Sequence, residues 1–192
     1  MLTYSQSIII HEALPKEYRD IAELLFPSDR FSNVSIGKAA LAFADILGVS
    51  SDYKRILNAE NGELRAFLNL FQKNFDLLIQ KTWVEQSEKE YKEELQDKIP
   101  GFIANIEAGN YKKTLVDFSI ILEELSYLLF GAQSRKNDFT EYTFRIDEQM
   151  GLFWYYGQQL KNFQHHFDSE DYCDETSLKA ILFLGICYLT NF

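Results

Sequence analysis

The chain has three prolines, at positions 15, 27 and 100, and none after the last. Proline removes a backbone donor and breaks helix interiors, so nothing of that kind forbids long helices in the carboxyl-terminal half. Cysteine is as scarce. Cys173 and Cys187 stand fourteen residues apart, which builds neither a disulfide framework nor a zinc pattern, and predicts a reduced, cytoplasmic setting. No apolar run reaches the ~20 residues of a membrane span. The longest, Leu178 to Phe192, contains Lys179, Thr190 and Asn191 and reads as a buried terminal helix. The first lysine is Lys16, so the opening residues lack the basic stretch of a secretion signal. There is no Gly-x-Ser-x-Gly elbow, and Gly37-Lys38 lacks the upstream glycine of a phosphate loop. Those absences point away from the common hydrolases and nucleotide enzymes, and no cofactor is predicted.

What is present suffices for one real core: 46% of the residues are hydrophobic, and a chain of this length needs no metal or disulfide staple. The expectation is a single α-helical domain over residues 1–192, with a small amino-terminal helical lobe at 1–60 as a variant. Apolar residues recur at intervals of three and four almost throughout, the period of a helix. Pro15 fits the first turn of a helix over roughly 15–26. Ser35 serves as N-cap of a second helix that Gly48 stops. Leu64, Phe67, Phe71, Phe75 and Leu78 begin a long third helix, which turns solvated beyond Trp83 and Val84. There Glu85 with Lys89, Glu88 with Lys92, and Glu94 with Lys98 form i,i+4 pairs, until Pro100-Gly101 ends the helix.

A short helix then runs to Gly109, and a wide apolar stripe from Tyr111 to Leu129 predicts a central helix stopped by Gly131. After a polar loop, one helix is expected from Phe139 to Phe167, with Gly157 on its seam where a neighbouring backbone approaches. A loop at 168–176 precedes the terminal helix. Only Ser5 to Ile10 suggests a strand, without a partner. The reading is all-α, an irregular bundle of about six to eight helices.

Ala44-Asp45-Ile46-Leu47-Gly48-Val49-Ser50 resembles the turn of the helix-turn-helix domains of repressor-type regulators. That resemblance implies a DNA-recognition helix over 51–57 bearing Lys54 and Arg55. The match departs from the pattern at Lys54, where the family usually buries an aliphatic residue. A different class, a metal-dependent helical-bundle enzyme, would use His165, His166 and nearby carboxylates. No histidine, however, has a glutamate three residues before it, and adjacent histidines diverge by about 100° on a helix. No metal ligand is therefore assigned. Cys187 reads as a core residue, and Cys173, among acids, as a poor nucleophile.

Charge is the remaining signal. The formal net charge is −10, and residues 137–192 hold nine acids against three bases. A phosphate backbone is repelled by such a molecule, so nucleic acid is not the predicted partner, nor is a membrane. Asp168, Glu170, Asp171, Asp174 and Glu175 surround Tyr172 without a single base. Water, an ion or a cationic partner must relieve that density, and Tyr172 supplies an aromatic anchor. Glu148 and Trp154 extend the predicted partner-binding face, together with Glu141 and Asp147. Of the aromatic run Phe153-Trp154-Tyr155-Tyr156, Trp154 or Tyr155 is expected to be exposed. These observations predict a non-enzymatic protein-binding module that neutralises a basic partner, such as a bacterial immunity protein inhibiting a nuclease toxin.

Overall fold

Three glycines with positive φ, Gly48 (72°), Gly109 (74°) and Gly131 (56°), end three helices at the places their spacing predicts. Only glycine enters that left-handed region without a Cβ penalty. At Gly48 the amide of Val49 returns to the Ala44 carbonyl, and at Gly109 that of Asn110 returns to Asn105, both at 2.9 Å. The computed structural model describes residues 15–26, 33–82, 89–167 and 174–192. In chain order its helices are α1 (Lys16–Leu25), α2 (Asn33–Ile46), α3 (Ser50–Leu57), α4 (Asn61–Lys81), α5 (Lys89–Glu107), α6 (Tyr111–Phe130), α7 (Phe139–Ile146), α8 (Glu148–Phe163) and α9 (Glu175–Asn191). Short 3-10 turns follow α6 (Gly131–Arg135) and α8 (Gln164–His166). The described residues contain no strand, and the protein is an all-α bundle. The expected strand at Ser5 to Ile10 lies outside the described residues.

Helix α9 is the axle of the fold. From Ser177 to Thr190 every residue but Lys179 is buried, and α2, α3, α4 and α6 pack around it. Two tyrosine hydroxyls donate to successive carbonyls near its start: Tyr53 from α3 to Ala180 at 3.1 Å, and Tyr156 from α8 to Ile181 at 2.7 Å. Gly185 lets this happen. A Cβ there would stand 2.4 Å from Phe118 Cε1 and 2.9 Å from the Tyr156 hydroxyl. At the other end Asn74 Nδ2 of α4 donates to the Thr190 carbonyl at 2.6 Å, satisfying one of the carbonyls a helix end leaves open. No helix among the described residues is long and apolar enough to cross a membrane.

Five sequence expectations are corrected here: α2 begins at Asn33, so Ser35 lies inside it and is not its N-cap, and the long third helix is two, α4 ending where Thr82 turns extended (ψ 129°) and α5 running from Lys89. Helix α5 runs straight through Pro100, because Leu95, Ile99, Phe102, Ile103 and Ile106 form one buried stripe in phase on both sides of it. Burial of that stripe outweighs the roughly 3 kcal/mol a proline costs a helix interior. The helix expected over 139–167 is two helices, broken at Asp147. Its extended backbone (φ −157°, ψ 131°) lets the carboxylate accept from the Met150 amide at 2.8 Å, an N-cap for α8. The close backbone approach predicted at Gly157 occurs instead at Gly151, where a Cβ would lie 2.4 Å from Phe144 Cα; Gly157 faces the side chains of Leu122 and Trp154.

One of the expected i,i+4 pairs, Glu94 with Lys98, gives way to a tertiary partner. Lys98 reaches Glu124 on α6 at 2.5 Å, not Glu94, and Lys92 Nζ donates to the Thr82 carbonyl just past α4 at 3.2 Å. Tertiary neighbours displace helix-surface partners because they fix the lysine against a packed wall. Trp83, Val84, Glu85 and Glu88 lie outside the described residues.

Candidate functional site

The carboxyl-terminal acids come first, as the residues singled out by charge. Asp174 caps α9, its carboxylate accepting from the Ser177 amide at 2.8 Å, and Glu175 follows in the first exposed turn. Carboxylates at that position are favoured by the helix dipole. Asp168, Glu170, Asp171, Tyr172 and Cys173 lie outside the described residues. Glu148 is exposed in the first turn of α8. It does not join Asp174 and Glu175 on one face. The neighbouring Asp147 acts on Tyr188 near the far end of α9, whereas Glu175 sits beside Gly109 and Tyr111 at the near end. About 20 Å of helix separates Glu175 from Tyr188 at ~1.5 Å per residue.

Trp154 and Tyr155 are both buried, at 3% and 4% exposure, contrary to the expectation that one of them faces a partner. Consecutive side chains point about 100° apart around a helix, but from Gly151 to Gly157 every residue of α8 is buried. Phe153 stacks on Tyr188 at 4.2 Å between ring centroids, and Trp154 meets Phe130 and Phe139 at 5.9 and 6.0 Å. Tyr155 lies by Arg19 and Glu23 of α1, and Tyr156 reaches α9. All four aromatics find a wall.

The three bases of this region are already engaged. Arg145 pairs with Glu141, and Lys161 with Glu123 of α6 at 2.7 Å. Lys179 Nζ donates to the Leu57 carbonyl at 3.1 Å and lies over the Phe183 ring at 5.3 Å. Glu148 and Glu175 enter none of the ion pairs found among the described residues.

The other candidate chemistries fare as follows. His165 and His166 stack on each other with centroids 4.0 Å apart. Among the described residues no group of three or more His, Cys, Asp or Glu is arranged to hold a metal. Cys187 is buried, and burial, followed by the nearby Asp52 charge, pushes its thiol up to about 12, so it is inert at neutral pH. Helices α2 and α3 follow one another across the turn at Gly48, and Tyr53 and Ile56 turn one face of α3 into the core. Arg55 lies between Asp52 at 3.1 Å and Glu63 at 3.8 Å, its charge already partnered.

A feature the sequence did not reveal is a cleft of about 560 Å³ along α6, bounded by the 131–139 segment, α8 and Tyr91 of α5. That volume lies in the ~300–1,000 Å³ range of small-molecule sites. The Arg135 guanidinium sits over the Tyr127 ring at 4.4 Å, and Tyr91 meets Tyr127 edge-on at 5.9 Å. Burial, then the Glu124 charge, raises Tyr91 to about 12. Two lining residues carry buried polar atoms without a protein partner, Trp154 Nε1 and Glu124 Oε2. The only local hint in sequence was the polar Gly131–Asp138 loop with Arg135 and Lys136, which gave no sign of what stands across from it.

Compared with protein-family models, curated proteins and solved structures, the chain matches none.

Proposed function

We propose that this chain is a non-enzymatic protein-binding module that neutralises a basic partner, in the manner of a bacterial immunity protein held against a nuclease toxin. The observation that carries the reading is the internal use of Arg145, Lys161 and Lys179 in a stretch, residues 137–192, where nine acids outnumber three bases, while Glu148 and Glu175 stand exposed and enter none of the ion pairs found among the described residues. A nuclease must present a cationic cleft to its substrate backbone. An acidic surface accelerates encounter with such a cleft and then occludes it.

The Asp168–Glu175 segment is the expected centre of contact, with Tyr172 as its anchor. Glu148, at the other end of α8 and α9, belongs to a separate edge of the surface. The test is capture of the tagged protein from a lysate of its native organism at moderate salt. A stoichiometric basic protein released as salt rises is the expected result. If no basic partner is captured and protein purified without tag or chelator carries a stoichiometric metal, the metal-dependent enzyme reading replaces this one.

A further inference from the structure

We propose that the cleft along α6 binds a small planar heteroaromatic anion. Two buried polar atoms on its lining residues lack a protein partner. Trp154 is almost wholly buried, yet its indole N–H has no acceptor. Native interiors seldom leave such a donor unpaired, and each exception calls for a physical reason. Glu124 is half satisfied: Oε1 holds Lys98 at 2.5 Å, while Oε2 is buried without a donor. Both residues line the same cleft. An occupant that completes them offers one acceptor, to Trp154 Nε1, and one donor, to Glu124 Oε2. The edge of a nitrogen heterocycle bearing a ring N–H beside a carbonyl has both.

The walls select the body of the ligand. Tyr127, Phe139 and Trp154 give the cleft an aromatic lining, beside which a conjugated ring packs at little entropic cost. The rim selects its charge. Lys161 is neutralised by Glu123, but Arg135 and Lys136 enter no ion pair found among the described residues, and both line the cleft. In a chain of net charge −10, two adjacent uncompensated cations beside an aromatic cleft mark a place for an anionic group. The guanidinium, already stacked on Tyr127, keeps its donors for a carboxylate or phosphate. A nucleoside monophosphate and a heteroaromatic carboxylate share this chemistry. The site stands on observations separate from the acidic surface and does not depend on it.

Isothermal titration of the full chain with UMP, GMP, orotate and uridine tests the assignment. At least one of the three anions binds more tightly than about 1 mM, and whether it is a nucleotide or orotate identifies the source. Uridine, which lacks the anion, binds at least about tenfold more weakly than UMP if UMP is the ligand, one decade corresponding to about 1.4 kcal/mol. Arg135→Ala with Lys136→Ala weakens the bound anion by a similar factor. Trp154→Phe and Glu124→Gln each weaken it about tenfold, with helical circular dichroism confirming that the variants fold. Absence of binding by all three anions at millimolar concentration overturns the proposal. So does binding that all of these variants leave unchanged.

Discussion

The interior around α9 and the flank along α6 handle polar groups in opposite ways. Around α9 the buried hydroxyls of Tyr53 and Tyr156 are hydrogen-bonded to backbone, and Gly185 is fitted against the ring of Phe118. Along α6, Trp154 Nε1 and Glu124 Oε2 are buried without a partner, and a Cβ on Gly157 would meet nothing closer than a Leu122 methyl at 3.3 Å. The first region is closed and specifies the fold. The second has room and unused bonding capacity, the combination that makes a site rather than a core.

Alkali is the strongest way to break the closed region. Cys187, Tyr53, Tyr156 and Tyr188 have pKa values raised in the folded protein, chiefly by desolvation. Between the unfolded and folded pKa values the native state holds protons that the unfolded state has released. Stability is therefore complete below about pH 8.5, where the free thiol begins to titrate, and falls as pH rises toward 12. Denaturant midpoints measured from pH 7 to 11 should decline steadily above pH 9. The next largest effect is Gly185→Ala, which forces Phe118 and Tyr156 apart and should cost about 3 kcal/mol in urea unfolding. Tyr156→Phe removes a hydrogen bond but little volume, leaves the Ile181 carbonyl with its helix partner, and should cost about 1 kcal/mol. Smallest is Gly157→Ala on the open flank. Its Cβ meets a movable methyl at 3.3 Å, and the better helix propensity of alanine offsets the contact, so stability should stay within about 0.5 kcal/mol of the parent. If Gly157→Ala proved as costly as Gly185→Ala, the contrast between the regions would collapse.

The features visible in the sequence were those set by local chemistry. The stripe from Tyr111 to Leu129 and the stops at Gly48, Gly109 and Gly131 depend on residues a few places apart, and each appears where the spacing puts it. Pro100 misled because a local penalty was weighed without the buried stripe that overrides it. The break at Asp147 escaped notice because the apolar period continues across it and only the carboxylate cap marks the end. Trp154 and Tyr155 looked exposed because a helix viewed alone has an outer face, and the middle of α8, from Gly151 to Gly157, is buried all round. The cleft was illegible for a related reason: it is defined by Trp154 and Glu124 failing to find partners, which is a property of distant helices and of no single segment. The acidic segment was legible as charge, but sequence alone placed Glu148 with Glu175, which the antiparallel run of α8 and α9 sets at opposite ends.

The acidic surface is the centre of the functional account, and its most direct test is the association rate with the captured basic partner as a function of salt. The comparison is between the parent and a variant carrying Asp168→Asn, Glu170→Gln, Asp171→Asn, Asp174→Asn and Glu175→Gln, in which asparagine at 174 retains the N-cap. The account predicts association at least about tenfold slower at low salt and a markedly shallower salt dependence in the variant. Identical rates and slopes would contradict it.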